Sequence, residues 1–270
     1  MDLGLRGKRA LVTGATMGIG EAIAKALAAE GTAVAVNGRD RARGEAVVEA
    51  IRDAGGAAVL ALGDVSTDAG ADAVVAQALD GLGGVDILVN NAGGRAGEHG
   101  AASFWDVPPE DFVATYEKNV IAAMRLMSRL VPAMTERGWG RIIQISSGIG
   151  TTPTGTLADY ASAKAGMTNL ALGAAKALAN TGVTVNAISP GMIDTPGVSG
   201  WLDEVGRQQG LATRAEVEQF VLRTYVIQTV NRIGRVEDVA DLVAYVASTK
   251  ADFITGANLR VDGGASPSIN

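Results

Sequence analysis

The sequence of 270 residues contains no cysteine and a single histidine, His99. Without cysteine the chain has no disulfide framework, no thiolate nucleophile and no cysteine-ligated metal site. One histidine cannot form a histidine-based zinc site alone, so we expect no metal centre. Aromatic residues make up only 4% of the chain and charged residues 19%, whereas 47% are hydrophobic. This balance indicates a globular chain and excludes a disordered one.

Basic residues are outnumbered by acidic ones, 23 to 29, which gives a net charge of -6. A nucleic-acid partner would require a basic stripe, so we expect none. Residues 1–9 contain no apolar run, and we therefore expect no signal peptide. No stretch approaches the roughly 18 uncharged apolar residues of a membrane-spanning helix. These absences predict a cytoplasmic protein with no membrane partner.

Short apolar runs alternate along the chain with segments of helical periodicity. The predicted strands cover 10–12, 34–36, 57–62, 87–89, 141–146, 183–188 and 257–261, and the predicted helices cover 20–30, 41–54, 68–82, 108–134, 160–179 and 236–248. This alternation predicts βαβ units. We therefore expect an α/β fold in which residues 1–270 form one domain, a doubly wound, Rossmann-type parallel sheet of about seven strands with helices on both faces. Residues 195–235 interrupt the alternation, and we interpret them as a partly helical lid within this domain.

A glycine-rich segment follows the first predicted strand and precedes the first predicted helix. Its sequence is Thr13-Gly14-Ala15-Thr16-Met17-Gly18-Ile19-Gly20. Glycines allow a tight turn and let backbone N–H groups approach a phosphate at the positive N-terminal end of a helix. The glycine spacing differs from the commoner G-x-G-x-x-G, and the alternative interpretation is a plain turn. The flanking strand and helix favour a dinucleotide site.

The position that usually contacts the adenosine ribose is at the end of the second predicted strand. Here it is Asn37, followed by Gly38 and Arg39. No carboxylate is present to bind a free 2′-hydroxyl or to repel a 2′-phosphate, and Arg39 has the charge to pair with a phosphate. We therefore expect NADP(H) to be favoured, with NAD(H) possible. The alternative is that Arg39 is a solvated surface residue.

Tyr160 and Lys164 are four residues apart on one predicted helix, so both side chains share a face. A nearby ammonium and the positive charge of an oxidised nicotinamide would favour the phenolate of a tyrosine, whose free pKa is about 10. Ser147 follows a predicted strand, where ligands bind in a doubly wound sheet. The three residues predict proton transfer to or from a substrate oxygen.

Further short motifs run through nearly the whole chain. With the residues above they are Thr13-Gly14-x-x-x-Gly18-x-Gly20, Asp64, Asn90-Asn91-Ala92-Gly93, Asn119, Ser147, Tyr160-x-x-x-Lys164, Pro190-Gly191, Ile254-Thr255-Gly256 and Val261-Asp262-Gly263-Gly264. In this order they are jointly specific, and the chain resembles the short-chain dehydrogenase/reductase family. Its pattern is similar to that of 3-oxoacyl-acyl-carrier-protein reductases and related ketoreductases.

The resemblance implies a role for each motif. Tyr160 would exchange the substrate proton, and Ser147 would hold the substrate oxygen. Lys164 would bind the nicotinamide ribose and lower the pKa of the phenol, while Asn119 would help to hold a water linked to Lys164. The implied cofactor contacts are Gly14, Thr16, Met17, Gly18, Ile19, Gly20, Asn37, Arg39, Asp64, Val65, Asn91, Ala92, Gly93, Tyr160, Lys164, Pro190, Gly191, Ile193 and Thr195. One departure is Met17, which replaces the basic residue of many NADP-using relatives.

The resemblance also implies the reaction, a hydride transfer between a nicotinamide cofactor and a small-molecule ketone or secondary alcohol, with Tyr160 as general acid/base. A cofactor-binding sensor without turnover and an epimerase or dehydratase are the alternatives. The substrate pocket is expected from residues 94–104, 148–157 and the lid. Within the lid, Trp201 and Phe220 are candidate pocket walls or, equally, packing residues between its own helices. We interpret His99 as a surface loop residue and expect a homotetramer.

Overall fold

Seven strands form one sheet in the computed structural model, which describes residues 1–96 and 103–267. The strands are β1 (Arg9–Val12), β2 (Ala33–Gly38), β3 (Ala57–Leu62), β4 (Ile87–Asn90), β5 (Gly140–Ile145), β6 (Val183–Pro190) and β7 (Asn258–Val261). All neighbours pair in parallel, in the order β3-β2-β1-β4-β5-β6-β7. The predicted Rossmann-type α/β fold is confirmed.

Helices connect the strands and cover both faces of the sheet. They are α1 (Gly18–Ala29), α2 (Arg41–Asp53), α3 (Asp68–Leu82), α4 (Pro109–Tyr116), α5 (Ala122–Glu136), α6 (Ala158–Ala177), α7 (Pro196–Gln209), α8 (Arg214–Thr224) and α9 (Val236–Ala247). Polar side chains cap the N-termini of several helices. At the start of α3, for example, the Thr67 side chain accepts the backbone N–H of Gly70. In the part of the chain described, no helix is long and apolar enough to cross a membrane.

Alternate residues of each strand point to opposite faces of the sheet. Ala10 and Val12 pack in an apolar layer with α1, α2 and α9, whereas Leu11 packs in a second layer with α3, α5 and α6. Because both faces are covered, the central strands are continuous apolar runs, as in other parallel sheets. The two layers form the core and leave the carboxyl ends of the strands free for a site.

The strand order reverses direction between β1 and β4. From β1 the chain passes to β2 and β3 on one side, whereas β4 leads to β5, β6 and β7 on the other. The connections therefore diverge at the carboxyl ends of β1 and β4, where a doubly wound sheet leaves a crevice. The glycine-rich segment follows β1 and Asn91 follows β4, so the fold brings both to this crevice.

The long helix predicted over 108–134 is interrupted. α4 ends at Tyr116, Glu117–Ile121 forms a π-helical turn, and α5 continues to Glu136 with Pro132 inside it. A π-helical turn keeps the chain helical, so the apolar periodicity on either side does not reveal it. The turn contains Asn119 and thus lies at one of the predicted site residues.

Residues 195–235 contain two helices, α7 and α8, followed by a loop. Their apolar side chains form a cluster apart from the two layers of the sheet, with Leu202, Val205, Val217, Val221 and Ile233 buried in it. Thr195 and Thr213 cap the two helices by accepting backbone N–H groups. The segment therefore has a small apolar core of its own.

Candidate active site

The glycine-rich turn joins β1 to α1 in a conformation that needs its glycines. Gly14 and Gly18 have φ values of +60° and +58°, in the left-handed region. A Cβ on Gly20 would lie 2.3 Å from the carbonyl oxygen of Gly14. No described side chain caps the first N–H groups of α1, which begins at Gly18, two residues before the predicted start. This glycine cradle at a free helix N-terminus fits a phosphate.

Thr13 and Asn91 tie the glycine-rich turn to the end of β4. Thr13 Oγ1 donates to the carbonyl oxygen of Val89 and accepts the backbone N–H groups of Asn91 and Ala92, both at 2.9 Å. The Asn91 amide donates to the carbonyl oxygens of Thr13 at 2.9 Å and Gly14 at 3.1 Å. The sequence motif includes Thr13 but assigned it no role. In the structure its hydroxyl connects the two sides of the crevice.

The predicted ribose position, Asn37, has its side chain directed into the protein. Its Oδ1 accepts the N–H of Gly14 at 3.4 Å, and its Nδ2 donates to the carbonyl oxygens of Ala61 and Gly63 at 2.9 and 3.2 Å. Thr16 packs against the end of β2, since a Cβ on Gly38 would come within 2.3 Å of Thr16 Cγ2. The Asn37 side chain therefore connects the glycine-rich turn to the end of β3. Composition and spacing did not indicate this role.

Two exposed arginines lie beside this end of β2. Arg39 Nη1 is 3.4 Å from Asp64 Oδ2. Arg43 Nη1 is 3.9 Å from the sulfur of Met17, although only Arg39 was predicted from the sequence. Burial alone would raise the pKa of the Asp64 carboxyl, but hydrogen bonds from Ser66 and the Arg39 charge lower it. Arg43 Nε also lies 3.4 Å from Asp40 Oδ2, so two guanidinium groups and two carboxylates lie at the crevice mouth.

Some predicted cofactor residues contribute no exposed side chain. Val65 is 5% exposed and packs with α3 and the underside of the sheet. Ile193 is 4% exposed, and its side chain lies against Gly234. A contact from either residue would therefore be made by its backbone.

The segment after β6 closes the crevice from the other side. Pro190 ends β6, and the Gly191 N–H donates to the carbonyl oxygen of Val261 at 2.9 Å. Thr195 caps α7, and its Cγ2 would lie 3.6 Å from a Cβ on Gly18. The start of α7 therefore borders the start of α1. Ile19 lies in this first turn of α1.

The structure brings Ser147, Tyr160 and Lys164 together at the carboxyl end of β5. Ser147 follows β5, Tyr160 lies in the first turn of α6, and the Ser147 side chain is near enough to the phenol to act on its pKa. Lys164 lies one turn later, with its Nζ 5.5 Å from the centroid of the Tyr160 ring. The grouping predicted from the sequence is therefore present as geometry.

Burial acts on both ionisable groups of this cluster. It raises the pKa of the Tyr160 phenol, although the hydrogen bond with Ser147 opposes the rise. It lowers the pKa of the Lys164 ammonium to about 7. Lys164 Nζ donates to the carbonyl oxygen of Ile145 at 2.8 Å. Without a bound nicotinamide, burial therefore disfavours the charged forms of both groups.

Asn119 and Lys164 lie on either side of Gly93. The Asn119 amide donates to the carbonyl oxygens of Gly94 at 2.8 Å and Thr115 at 2.7 Å, and its Oδ1 accepts the Gly94 N–H at 3.1 Å. A Cβ on Gly93 would lie 2.3 Å from Asn119 Oδ1 and 3.4 Å from Lys164 Nζ. Only glycine fits between them, and the side-chain donors of Asn119 are already bound to backbone.

The segment that follows Ser147 carries hydroxyl groups. Thr151, Thr152, Thr154 and Thr156 follow Ser147, and Thr152 Oγ1 lies 3.1 Å from Ser266 Oγ of the C-terminal segment. The Phe104 N–H donates to the Gly155 carbonyl oxygen at 3.0 Å, so Phe104 lies beside this segment. Part of the predicted wall 94–104, including His99, lies outside the described residues. Ser266 was not anticipated from the sequence.

Trp201 and Phe220 contact the same aromatic ring. Trp201 lies 5.5 Å and Phe220 6.1 Å from Tyr225 between ring centroids, both in edge-on arrangements. This contact favours the interpretation of packing between the helices of the lid. A cleft of about 580 Å³ beside the lid is lined by Met192, Gln228 and Gly263 among others, and its lining includes none of the four candidate catalytic residues.

Three polar residues beside Tyr160 were not singled out from the sequence. Arg95, Thr115 and Asp159 form a buried network in which Asp159 accepts bonds from the other two. Arg95 and Asp159 are 64 residues apart in the chain, so no local pattern pairs them. Across the described ranges, His, Cys, Asp and Glu side chains form no group of three suited to a metal ion.

Comparison with known proteins identifies the family. The chain matches the short chain dehydrogenase family over residues 8–205. It is 35% identical to a 3-oxoacyl-acyl-carrier-protein reductase of Vibrio cholerae over 262 residues, covering 97% of this chain and 98% of that one. The fold matches L-sorbose reductase from Gluconobacter frateurii, solved with NADPH and L-sorbose, with a TM-score of 0.92, 31% identity and full coverage of both chains.

A second solved structure, a 7α-hydroxysteroid dehydrogenase with NADH and 7-oxo glycochenodeoxycholic acid, has a TM-score of 0.85, with 33% identity over 100% of this chain and 98% of that one. The protein belongs to the short-chain dehydrogenase/reductase family and resembles its ketoreductases. It is a nicotinamide-dependent oxidoreductase that acts on CH–OH and C=O groups.

Proposed function

We propose that the protein is an NADP(H)-preferring ketone reductase with Tyr160 as its general acid/base. The grouping of Ser147, Tyr160 and Lys164 at the carboxyl end of β5, with Lys164 one turn after Tyr160, carries this proposal. A bound nicotinamide would supply the hydride. Asn119, Ser147, Tyr160 and Lys164 are the proposed catalytic residues.

The proposed proton transfer fits the burial of the site. A raised pKa keeps the Tyr160 phenol protonated near neutral pH, so that it is ready to donate its proton to a developing alkoxide. Ser147 would hold the same oxygen by a hydrogen bond. Lys164 has a pKa of about 7 and so gains and releases a proton in the working range. Asn119 would align the backbone beside Lys164.

The cofactor would lie across the crevice between β1 and β4. The glycine cradle from Gly14 to Gly20 would hold its phosphates, and the backbone from Asn91 to Gly93 would line the adenosine side. The remaining predicted contacts, Asp64, Val65, Pro190, Gly191, Ile193 and Thr195, stay part of this proposal. Two observations support it, namely the positive φ of Gly14 and Gly18 and the N-cap residue of α1, Met17, whose side chain makes no capping bond.

We propose that Arg39 and Arg43 together favour NADP(H). Both guanidinium groups lie at the end of β2, and the Arg43 group reaches Met17, where many relatives carry a basic residue. Two positive charges there would attract a 2′-phosphate. Asp64 partly neutralises Arg39 and Asp40 partly neutralises Arg43, so NAD(H) is expected to bind more weakly rather than not at all.

For the substrate we propose a small hydroxylated ketone. The predicted pocket segment 148–157 carries threonine hydroxyls, and Thr152 Oγ1 lies 3.1 Å from the Ser266 hydroxyl, so this segment offers hydroxyl groups for hydrogen bonds to several substrate oxygens. L-Sorbose, the ligand of one structural neighbour, is of this class. Residues 195–235 would form a lid over it, within a single domain that spans 1–270, because their apolar cluster is separate from the main core.

We further propose a homotetramer. Exposed apolar side chains lie along α4, α5 and α6, where Val113 is 70% exposed and Tyr116, Met124 and Leu172 are each more than 40% exposed. A surface of this kind is typical of a protein contact. A cytoplasmic location is a prediction that cell fractionation would check.

The experiment that tests the function pairs binding with turnover. NADPH and NADH are titrated by fluorescence, and absorbance is followed with a panel of ketones and alcohols that includes ketoses. We expect tighter NADPH binding and net cofactor consumption that collapses in Tyr160→Phe. Binding without turnover would favour a sensor, conversion without net cofactor consumption an epimerase or dehydratase, and absence of binding would refute the proposal.

A further inference from the structure

Next to Tyr160 lies a buried ion pair that the roles proposed above do not use. Asp159, the second residue of α6, is fully buried, and its carboxylate accepts hydrogen bonds from Arg95 Nε at 3.0 and 3.2 Å. Thr115 Oγ1 of α4 donates a third bond at 2.8 Å. Burial alone would raise the pKa of the Asp159 carboxyl, but the bonds from Arg95 and Thr115 lower it, so the group is charged.

The partner, Arg95, belongs to a short backbone segment that is bound on both sides. The backbone N–H and carbonyl of Gly94 both bond the amide of Asn119. The N–H of Ala96 donates to Thr115 Oγ1 at 3.1 Å, and this hydroxyl in turn donates to Asp159. Lys118 Nζ also donates to the Arg95 carbonyl oxygen at 2.9 Å, so these three consecutive residues contact four different partners.

These bonds connect two of the proposed catalytic residues. Asn119 is bound to Gly94, Gly94 is followed by Arg95, Arg95 is paired with Asp159, and Asp159 precedes Tyr160 in the chain. A shift of Arg95 would therefore move the π-helical turn, the start of α6, or both.

We propose that Arg95 and Asp159 are positioning residues that fix Tyr160 and Asn119 relative to each other. Apolar side chains of similar volume would hold the two elements together equally well and avoid the desolvation of two charges. An ion pair whose Arg95 Nε–H is shared between both carboxylate oxygens, with a further bond from the Thr115 hydroxyl, differs in that its hydrogen bonds fix direction as well as distance. Catalysis depends on such placement, since small displacements of a reacting group lower the rate strongly.

The test separates positioning from stability. Asp159→Asn, Arg95→Met and the double variant Arg95→Met/Asp159→Leu are compared with wild type in Tm, in kcat and in Kd for NADPH. Each single variant should lower both Tm and kcat, the latter at least tenfold. The double variant should regain the wild-type Tm, because no charge is left unpaired, while its kcat stays at least tenfold low and its Kd changes less than threefold.

A matched control is the ion pair between Arg9 and Asp86 at the opposite ends of the strands, with Nη2 and Oδ1 2.7 Å apart. Asp86→Asn should lower Tm and leave kcat unchanged. Recovery of kcat together with Tm in the double variant, or wild-type kcat in Asp159→Asn, would overturn the proposal. If the double variant does not fold, the kcat of Thr115→Val tests the positioning role instead. A reduced kcat with unchanged NADPH binding supports positioning, and an unchanged kcat refutes it.

This inference rests on the proposed function, in which Tyr160 moves the proton. Tyr160→Phe is therefore measured in parallel. If Tyr160→Phe keeps the wild-type rate, the proposed function fails. If Tyr160→Phe is inactive while Asp159→Asn keeps the wild-type kcat, only the positioning role fails.

Discussion

At the residue scale, Tyr160 and Lys164 illustrate how burial sets the chemistry of a pair. Burial removes water from both side chains, and each therefore loses solvation of its charged form. The phenol therefore holds its proton more tightly and the ammonium less tightly than in water. A protonated phenol suits the proposed role of Tyr160, which is to donate a proton to a substrate oxygen.

We expect Tyr160→Phe to lower kcat about 10²- to 10⁴-fold, because the positioned proton donor is lost. The Kd for NADPH should change little, since the ring and its packing are kept. Stopped-flow or steady-state absorbance measures the first quantity and fluorescence titration the second. Tyr245→Phe on α9, away from the crevice, is the control and should match wild type. Equal rates in both variants would rule out Tyr160 as the acid/base.

The low pKa of Lys164 also predicts how stability depends on pH. The ordinary pKa of lysine is 10.5 and that of Lys164 in the folded protein about 7, so between these values the unfolded chain binds the extra proton. The free energy of unfolding from this group therefore rises with pH, by about 1.4 kcal/mol per unit. It is lowest below pH 7, where the buried ammonium must stay charged.

The measurement is urea unfolding of the cofactor-free protein between pH 7 and pH 9. Wild type should gain stability over this range, and Lys164→Met should lose roughly 2 kcal/mol or more of that gain. Lys176→Met, at the exposed end of α6, is the matched control and should keep the wild-type slope. A slope that is the same in all three proteins would contradict the low pKa.

At the scale of elements, the glycine-rich turn is more restricted than its composition implies. A Cβ on Gly20 would meet backbone, the Gly14 carbonyl oxygen at 2.3 Å, which cannot rotate away as a side chain would. Gly20→Ala should therefore shift the turn, raise the Kd for NADPH at least tenfold and lower Tm. Isothermal titration and thermal melting would measure both.

Gly173→Ala is the control for this substitution. A Cβ on Gly173 in α6 would meet nothing within 4 Å, and alanine is the better helix former. Gly173→Ala should bind NADPH with the wild-type affinity, and its Tm should not fall below that of the wild type. NADPH binding by Gly20→Ala at wild-type affinity would show that the cradle does not hold the cofactor.

The elements also show what the sequence could predict. Apolar runs and helical periodicity located the strands and helices, because burial on both faces leaves a local signature in each strand. The break at Glu117–Ile121 left none, since a π-helical turn has the same composition as the helix around it. The direction of the Asn37 side chain and the pairing of Arg95 with Asp159 depend on contacts between distant segments, which one sequence does not reveal.

At the scale of the whole molecule, the apolar face of α4, α5 and α6 predicts assembly. We expect Val113→Glu, at a side chain 70% exposed in the single chain, to shift the proposed tetramer to smaller species, because a buried charge would lie in the contact. Light scattering after size exclusion measures the mass. Leu79→Glu on the outer side of α3 is the control and should leave the mass unchanged. An unchanged mass in Val113→Glu would place the contact elsewhere.

The separate apolar cluster of α7 and α8 has a consequence for how such a protein can diversify. Because Leu202, Val205, Val217 and Val221 pack with one another and not in the two layers of the sheet, this segment can vary in length and side chains while the sheet keeps its packing. With this segment as the proposed lid, new substrates can be accommodated by rebuilding one small helical pair, and the proposed hydride chemistry is inherited unchanged.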